Sequence, residues 1–203
     1  MALKDALWEA GRRAYEIERD AIDQALGAVE EAAFLKAVDV LAAAPRIAAS
    51  GCGHSGIACQ HFAHLMCCIE RPARFISPAE ALHGASGFLH PGDTVLLASR
   101  GGKTAELLPI LEIAKRRGAA VIAVTENALS PLAFGADIVL RMSVTRETDP
   151  FDSQGTTSFT VMGVLFHALQ AALIEKTGYH NEQFALIHPG GAVGQRLTAK
   201  EPQ

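Results

Sequence analysis

The sequence predicts an α/β protein: a three-layer αβα sandwich around a five-stranded parallel sheet, preceded by N-terminal helices. Three observations carry this. From residue 46 onward, short apolar runs alternate with stretches of helical periodicity, the pattern of a parallel sheet covered on both faces. Two of those runs end in glycine- and serine-bearing turns that open helices, Ser50-Gly51-Cys52-Gly53-His54-Ser55-Gly56 and Ser99-Arg100-Gly101-Gly102-Lys103-Thr104. Finally, 203 residues, 49% of them hydrophobic and 20% charged, suffice for one well-buried core. The expected division is a helical segment over 1–45 and the α/β domain over 46–197.

Each element has its own signal. Leu3, Leu7, Ala10, Ala14, Ile17, Ala21 and Ala25 form an apolar stripe at helical spacing to about Leu26, with Gly27 as the break. A second helical stretch carries Phe34, Val38 and Leu41 to the alanines before Pro45. Strands are expected at Arg46–Ser50, Ala73–Ile76, Thr94–Ser99, Ala120–Thr125 and Ile138–Met142. Helices follow at Gly56–Cys68, Ala79–His83, Thr104–Arg117, Pro131–Phe134 and Thr156–Thr177. The alanine-rich stripe at the N-terminus is too thin to close a core alone; it suits packing against another subunit or against its own sheet. The polar stretch Arg196–Gln203 is expected to fray.

Composition narrows the function classes. A net charge of −4 offers no basic field for nucleic acid. No continuous apolar run reaches the roughly 20 residues of a membrane helix, and Met1-Ala2-Leu3-Lys4-Asp5 lacks a secretory apolar region. The expected compartment is the cytoplasm. Cys52, Cys59, Cys67 and Cys68 contain no CxxC pair, so they read as small buried hydrophobes and not as a zinc or disulfide framework.

A strand that runs through a glycine turn into a helix brings free backbone N–H groups and a positive helix end to one place, a geometry that binds phosphate. In parallel sheets ligands lie at the carboxyl ends of the strands, where both turns fall. Two such turns point to a substrate that carries a phosphate, not a bare sugar or a peptide.

The segments Gly51-Cys52-Gly53-His54-Ser55-Gly56, Pro78-Ala79-Glu80-Ala81-Leu82-His83-Gly84, Ser99 to Glu106 and His188-Pro189-Gly190-Gly191-Ala192-Val193-Gly194 occur in an order that resembles the sugar isomerase (SIS) domain. More narrowly, they resemble the D-arabinose-5-phosphate isomerases. The likeness runs from about Ile47 to Leu197, and its specific segments are PAEALHG and ALIHPGGAVGQRL. It implies a flavodoxin-like sheet and interconversion of D-arabinose 5-phosphate and D-ribulose 5-phosphate through an enediol. It implies catalytic roles for His83, His188, Glu106 and Glu147, and phosphate binding by Ser55, Ser99, Thr104, Thr156 and Thr157 with the turns at Gly53 and Gly102. It also implies a homotetramer in which His83 or His188 reaches a neighbour's site. Family members often carry two CBS domains after this one; the expectation for this chain is the single-domain form.

The chain departs from that pattern in places. His54 stands where the family has lysine, and Ser99-Arg100-Gly101-Gly102-Lys103 replaces a Ser-Asn-Ser-Gly-Glu loop. One phosphate hydroxyl is lost at Gly101, and cations arrive at Arg100 and Lys103.

The chemistry stands without the family name. Moving a carbonyl from C1 to C2 takes a base with a pKa near neutrality, a proton shuttle between two oxygens and donors for the enediolate. Histidines and carboxylates supply these. Glu106 or His188 is the expected base, His83 handles the oxygens, His54 stabilises the enediolate, and Glu147 orients a histidine or the sugar hydroxyls. No cofactor is required, although His54, His83 and His188 with Glu106 nearby would suit Zn²⁺.

Duller roles compete. Glu106 serves a helix dipole equally well, His83 reads as a turn residue, Lys103 as a solvated charge, and His61 with His64 as a subunit contact instead of a metal pair. The competing function is a non-catalytic sugar-phosphate-binding regulatory module of the same fold, with a lyase or etherase as a third reading.

Overall fold

The computed structural model describes residues 3–198. The first helix, α1 (Leu3–Ala25), leads through a 3₁₀ turn to α2 (Glu31–Ala43). There follow β1 (Ile47–Gly51), α3 (Gly53–Cys67), β2 (Ala73–Phe75), α4 (Pro78–Ala81), β3 (Thr94–Ala98), α5 (Leu108–Arg116), β4 (Ala120–Thr125), α6 (Pro131–Gly135), β5 (Ile138–Arg141) and α7 (Thr156–Thr177). Two helices that the periodicity does not announce close the described chain, α8 (Asn181–Ile187) and α9 (Gly191–Thr198). The five strands form one parallel sheet in the order β2-β1-β3-β4-β5.

Every residue of β1 and β3 is buried, because helices cover both faces. One core layer joins α1, α2, α3 and α7 to the sheet through Leu41, Phe62, Met66, Leu96, Ile122 and Phe166. The opposite layer packs α4, α5 and α6 through Ile76, Leu97, Leu107, Ile110, Val121 and Leu132. Each of the larger side chains gains about 1.5–3 kcal/mol from burial.

The register positions the site. Gly51 pairs with Ala98 across β1 and β3, so Cys52 and Ser99 leave the sheet side by side. The chain crosses to β2 on one side of β1 and to β4 on the other side of β3, which makes the β1/β3 boundary the topological switch point. Both glycine turns emerge there.

Several expectations need correction. Glu106 is not in the first turn of a helix: α5 begins at Leu108 with Leu107 as its cap, and Glu106 lies in the turn before it. Pro109 sits near the helix start, a position that favours initiation there. Only Cys59 is buried like a hydrophobe, whereas Cys52 and Cys68 are half-buried and Cys67 is exposed. In α1, Ala21 and Ala25 pack on the core, while Leu3, Leu7, Trp8 and Tyr15 remain exposed. Arg196 to Thr198 belong to α9 instead of a frayed tail, and residues 199–203 lie outside the described part. By length and composition α7 is apolar enough to cross a membrane, although no unbroken apolar run marks it. Its Val161, Met162, Phe166, Leu169 and Leu173 are instead buried in this core.

On the outer side of the α3–α7 contact, His61 Nε2 and His167 Nε2 lie 3.0 Å apart, bonded head to head. Partial burial first, and then the charges of His167 and His64, hold His61 below its ordinary pKa. The unfolded chain therefore takes up this proton first. The contribution of His61 is complete above the unfolded value of about 6.5 and is lost as pH falls through the lower folded value. Thermal unfolding followed from pH 8 to pH 5 should show a decline in Tm that is shallower in His61→Gln.

Candidate functional site

Three loops at the carboxyl edge of the sheet form a crevice. The first follows β1. Gly51 and Gly56 are there because the chain folds tightly back: a Cβ on Gly56 would lie 2.6 Å from the Gly51 carbonyl oxygen. Cys52 caps α3 in an extended conformation, and no side chain bonds to the helix amides behind it. The start of α3 therefore presents amide donors to an anion. His54 lies in this first turn, exposed, with its Nδ1 against Gly155 and its ring 6.3 Å from that of Phe159.

The second loop follows β3. Ser99 Oγ and Thr104 Oγ1 are 2.8 Å apart, and Gly102 N donates to Ser99 Oγ at 3.0 Å. The loop closes on these three residues, two of them the hydroxyls expected from the sequence. Lys103 is exposed beside them. Glu106 follows in the same loop, exposed, and burial and then the Glu106 charge push the Cys52 thiol upward. Ser55 and Gly53 complete the first loop opposite.

The third loop joins β5 to α7. Glu147 is fully buried and takes bonds from Arg100 Nη1 at 2.7 Å, Thr157 N at 2.6 Å and Ser158 N at 3.2 Å. Its carboxylate caps α7 and orients no histidine of this chain. Thr156 Oγ1 is engaged by Thr148 and Glu147, and the Thr157 hydroxyl is buried without a partner. The first amides of α7 are thus held by a protein carboxylate, so this end of the crevice offers an incoming phosphate neither them nor a surface hydroxyl at Thr157.

Two expected histidines, His83 and His188, belong to segments outside these three loops. His83 is exposed in the turn after α4, following the carboxyl end of β2. His188 lies at the other edge of the sheet. The 22 residues of α7 run about 33 Å away from the crevice. Gln183 in α8 then bonds to Glu70, beside the start of β1 and β2. Only four residues separate Gln183 from His188, whose ring stacks on Phe184 at 4.8 Å and whose Nδ1 is buried without a partner. Among the described residues no three His, Cys, Asp or Glu side chains gather closely enough to hold a metal ion. One chain's His54, His83 and His188 therefore do not fit zinc.

Sequence reasoning missed Glu126, which accepts from Arg100 Nε at 2.8 Å. Its position immediately after β4, at the same edge as both glycine turns, was the available signal.

A doubly wound sheet with a phosphate-type cradle at its switch point defines a nucleotide- or phosphosugar-binding class of α/β domain. Within that class the SIS domain family matches residues 40–172, and the chain belongs to it. It is similar to the arabinose 5-phosphate isomerase KdsD of Pseudomonas aeruginosa, with 40% identity over 192 residues. That match covers 94% of this chain and 59% of the relative, so the chain spans about three-fifths of the length of this curated relative. Among solved structures it is similar to a sugar-phosphate isomerase candidate of Listeria monocytogenes, with 38% identity, a TM-score of 0.90 and coverage of 92% and 98% of the two chains. It is also similar to a protein of Escherichia coli CFT073 in complex with arabinose 5-phosphate, with 28% identity, a TM-score of 0.87 and coverage of 93% and 100%.

Proposed function

We propose that the chain is an aldose–ketose isomerase of a phosphorylated sugar, interconverting D-arabinose 5-phosphate and D-ribulose 5-phosphate or a close relative through an enediol. The observation that carries this is the pair of loops at the switch point: an uncapped α3 start and the Ser99–Gly102–Thr104 cluster on one side, Glu106 and His54 beside them. The names of the relatives, and the arabinose 5-phosphate held by a similar protein, support the same substrate class.

In this reading the phosphate docks on α3 and the β3 loop, through Ser55, Ser99 and Thr104. Glu106 or His188 removes the proton next to the carbonyl, His83 carries protons between the oxygens, and His54 donates to the enediolate. Glu147 acts indirectly, by holding α7 and Arg100. His188 of one chain lies too far from its own crevice and is supplied by a neighbour, which supports an oligomer, and in this reading the protein works as a cytoplasmic homotetramer. None of these steps requires a metal.

A panel of pentose and hexose phosphates in heavy water tests the reading. The expected result is exchange of the aldose and ketose with solvent deuterium at C1 or C2 of the product. Tight binding of a sugar phosphate without exchange by the assembled protein would instead assign it to the regulatory, non-catalytic class.

A further inference from the structure

We propose that Arg100 is a positioning residue that fixes the phosphate loop against α7, and that it does not itself bind phosphate; this rests on the isomerase reading of the crevice. Arg100 opens the second loop directly after Ser99 and looks, in sequence, like a cation offered to an anionic substrate. The geometry points elsewhere. Its Nε donates to Glu126 Oε2 at 2.8 Å, Nη1 to Glu147 Oε1 at 2.7 Å and Nη2 to the Val144 carbonyl at 3.3 Å. Its own carbonyl accepts from Thr125 Oγ1 and from Glu126 N, each at 3.0 Å. One residue therefore ties together the loops after β3, β4 and β5.

Glu147 extends the tie to a fourth element. Its second oxygen takes the Thr157 and Ser158 amides, so the start of α7 is held through this carboxylate to Arg100 and hence to the loop that carries Ser99, Gly102 and Thr104. Two carboxylates around one guanidinium leave this corner with net negative charge, which disfavours a phosphate here. The crevice thus has two helix starts with opposite fates. That of α7 is stopped by an internal carboxylate, and that of α3 has no side-chain cap. Arg100 sets the polarity of substrate binding by keeping Glu147 in place: the phosphate goes to α3 and the second loop, and the sugar lies between them and α7.

The test uses Arg100→Met, which keeps the bulk and removes the donors, with Arg100→Lys as the conservative rescue. Calorimetry with inorganic phosphate and steady-state kinetics with the pentose phosphate are read beside urea unfolding. In Arg100→Met the Kd for phosphate and the KM are expected to rise together by about tenfold or more, with a smaller change in kcat, because a displaced loop loses bound-state geometry. Arg100→Lys recovers part of both. A general loss of stability would lower the amount of active protein and leave phosphate affinity in the folded fraction unchanged. If Arg100→Met folds poorly, Glu126→Gln removes one bond at the more exposed end and is expected to shift both constants in the same direction by about two- to threefold. Unchanged phosphate affinity in these variants overturns the proposal. Phosphate binding by the wild type that depends on Arg100, with no pentose phosphate turned over, would overturn the isomerase reading alone.

Discussion

Gly102→Ala is expected to lower the unfolding free energy by about 2–4 kcal/mol, whereas Gly101→Ala, one position earlier, should leave it unchanged or raise it by up to ~1 kcal/mol. The difference lies in what each Cα faces. Gly102 has φ +66, a left-handed conformation that costs a side-chain-bearing residue about 1–2 kcal/mol. A Cβ there would overlap the buried Ser130 side chain and lie 2.9 Å from Thr125 Oγ1. Neither neighbour can retreat cheaply. Ser130 Oγ caps α6 by accepting from Ala133 N, and Thr125 Oγ1 holds the Arg100 carbonyl. At Gly101 nothing lies within 4 Å of a new Cβ. Urea unfolding of the two variants reads the contrast directly, and equal midpoints would mean the loop has another conformation in solution. Because Gly102 N also fixes Ser99 Oγ, Gly102→Ala should weaken phosphate binding further than its stability alone explains.

The same loop shows what can be read from the sequence and what cannot. Val95, Leu96 and Leu97 form an apolar run too short for a helix and followed by glycines, so β3 and its carboxyl-end turn were legible without coordinates. The parallel sheet followed from the repetition of that pattern. Ser99 and Thr104, which the resemblance named as phosphate hydroxyls, face each other because five positions across a tight turn bring their side chains together. Arg100 was not, since its partners Glu126 and Glu147 are 26 and 47 positions away and only the parallel register brings them to one edge. Thr157, which the resemblance named as a phosphate ligand, shows a different limit: its amide is taken by a carboxylate ten residues upstream. The sequence pattern locates helix starts but does not say which internal group occupies them. His188 shows a third limit: its place relative to the crevice of its own chain depends on the length and direction of α7, and a motif match carries neither.

His188→Ala and Glu106→Ala are each expected to cut turnover by about a hundredfold or more, and mixing the two inactive proteins should restore part of the rate. Glu106 belongs to the loop after β3 at the crevice, while His188 is held at the opposite edge of its own sheet through α8 and the Gln183–Glu70 bond. If the chemistry needs both, they come from different chains. After co-refolding at equal amounts, each site draws its Glu106 from one protomer and its His188 from another, so about a quarter of the sites combine two intact residues. Exposed Leu3, Leu7, Trp8 and Tyr15 on α1 supply apolar surface for such an assembly. Mass measurement must first establish that hybrids form. Hybrids with no recovered activity would show that His188 is not supplied between chains, and a His188→Ala enzyme with normal turnover would remove the residue from the chemistry. In that event Glu106 and His54, the acid and imidazole that the crevice loops of one chain do present, would have to carry the proton transfer between them.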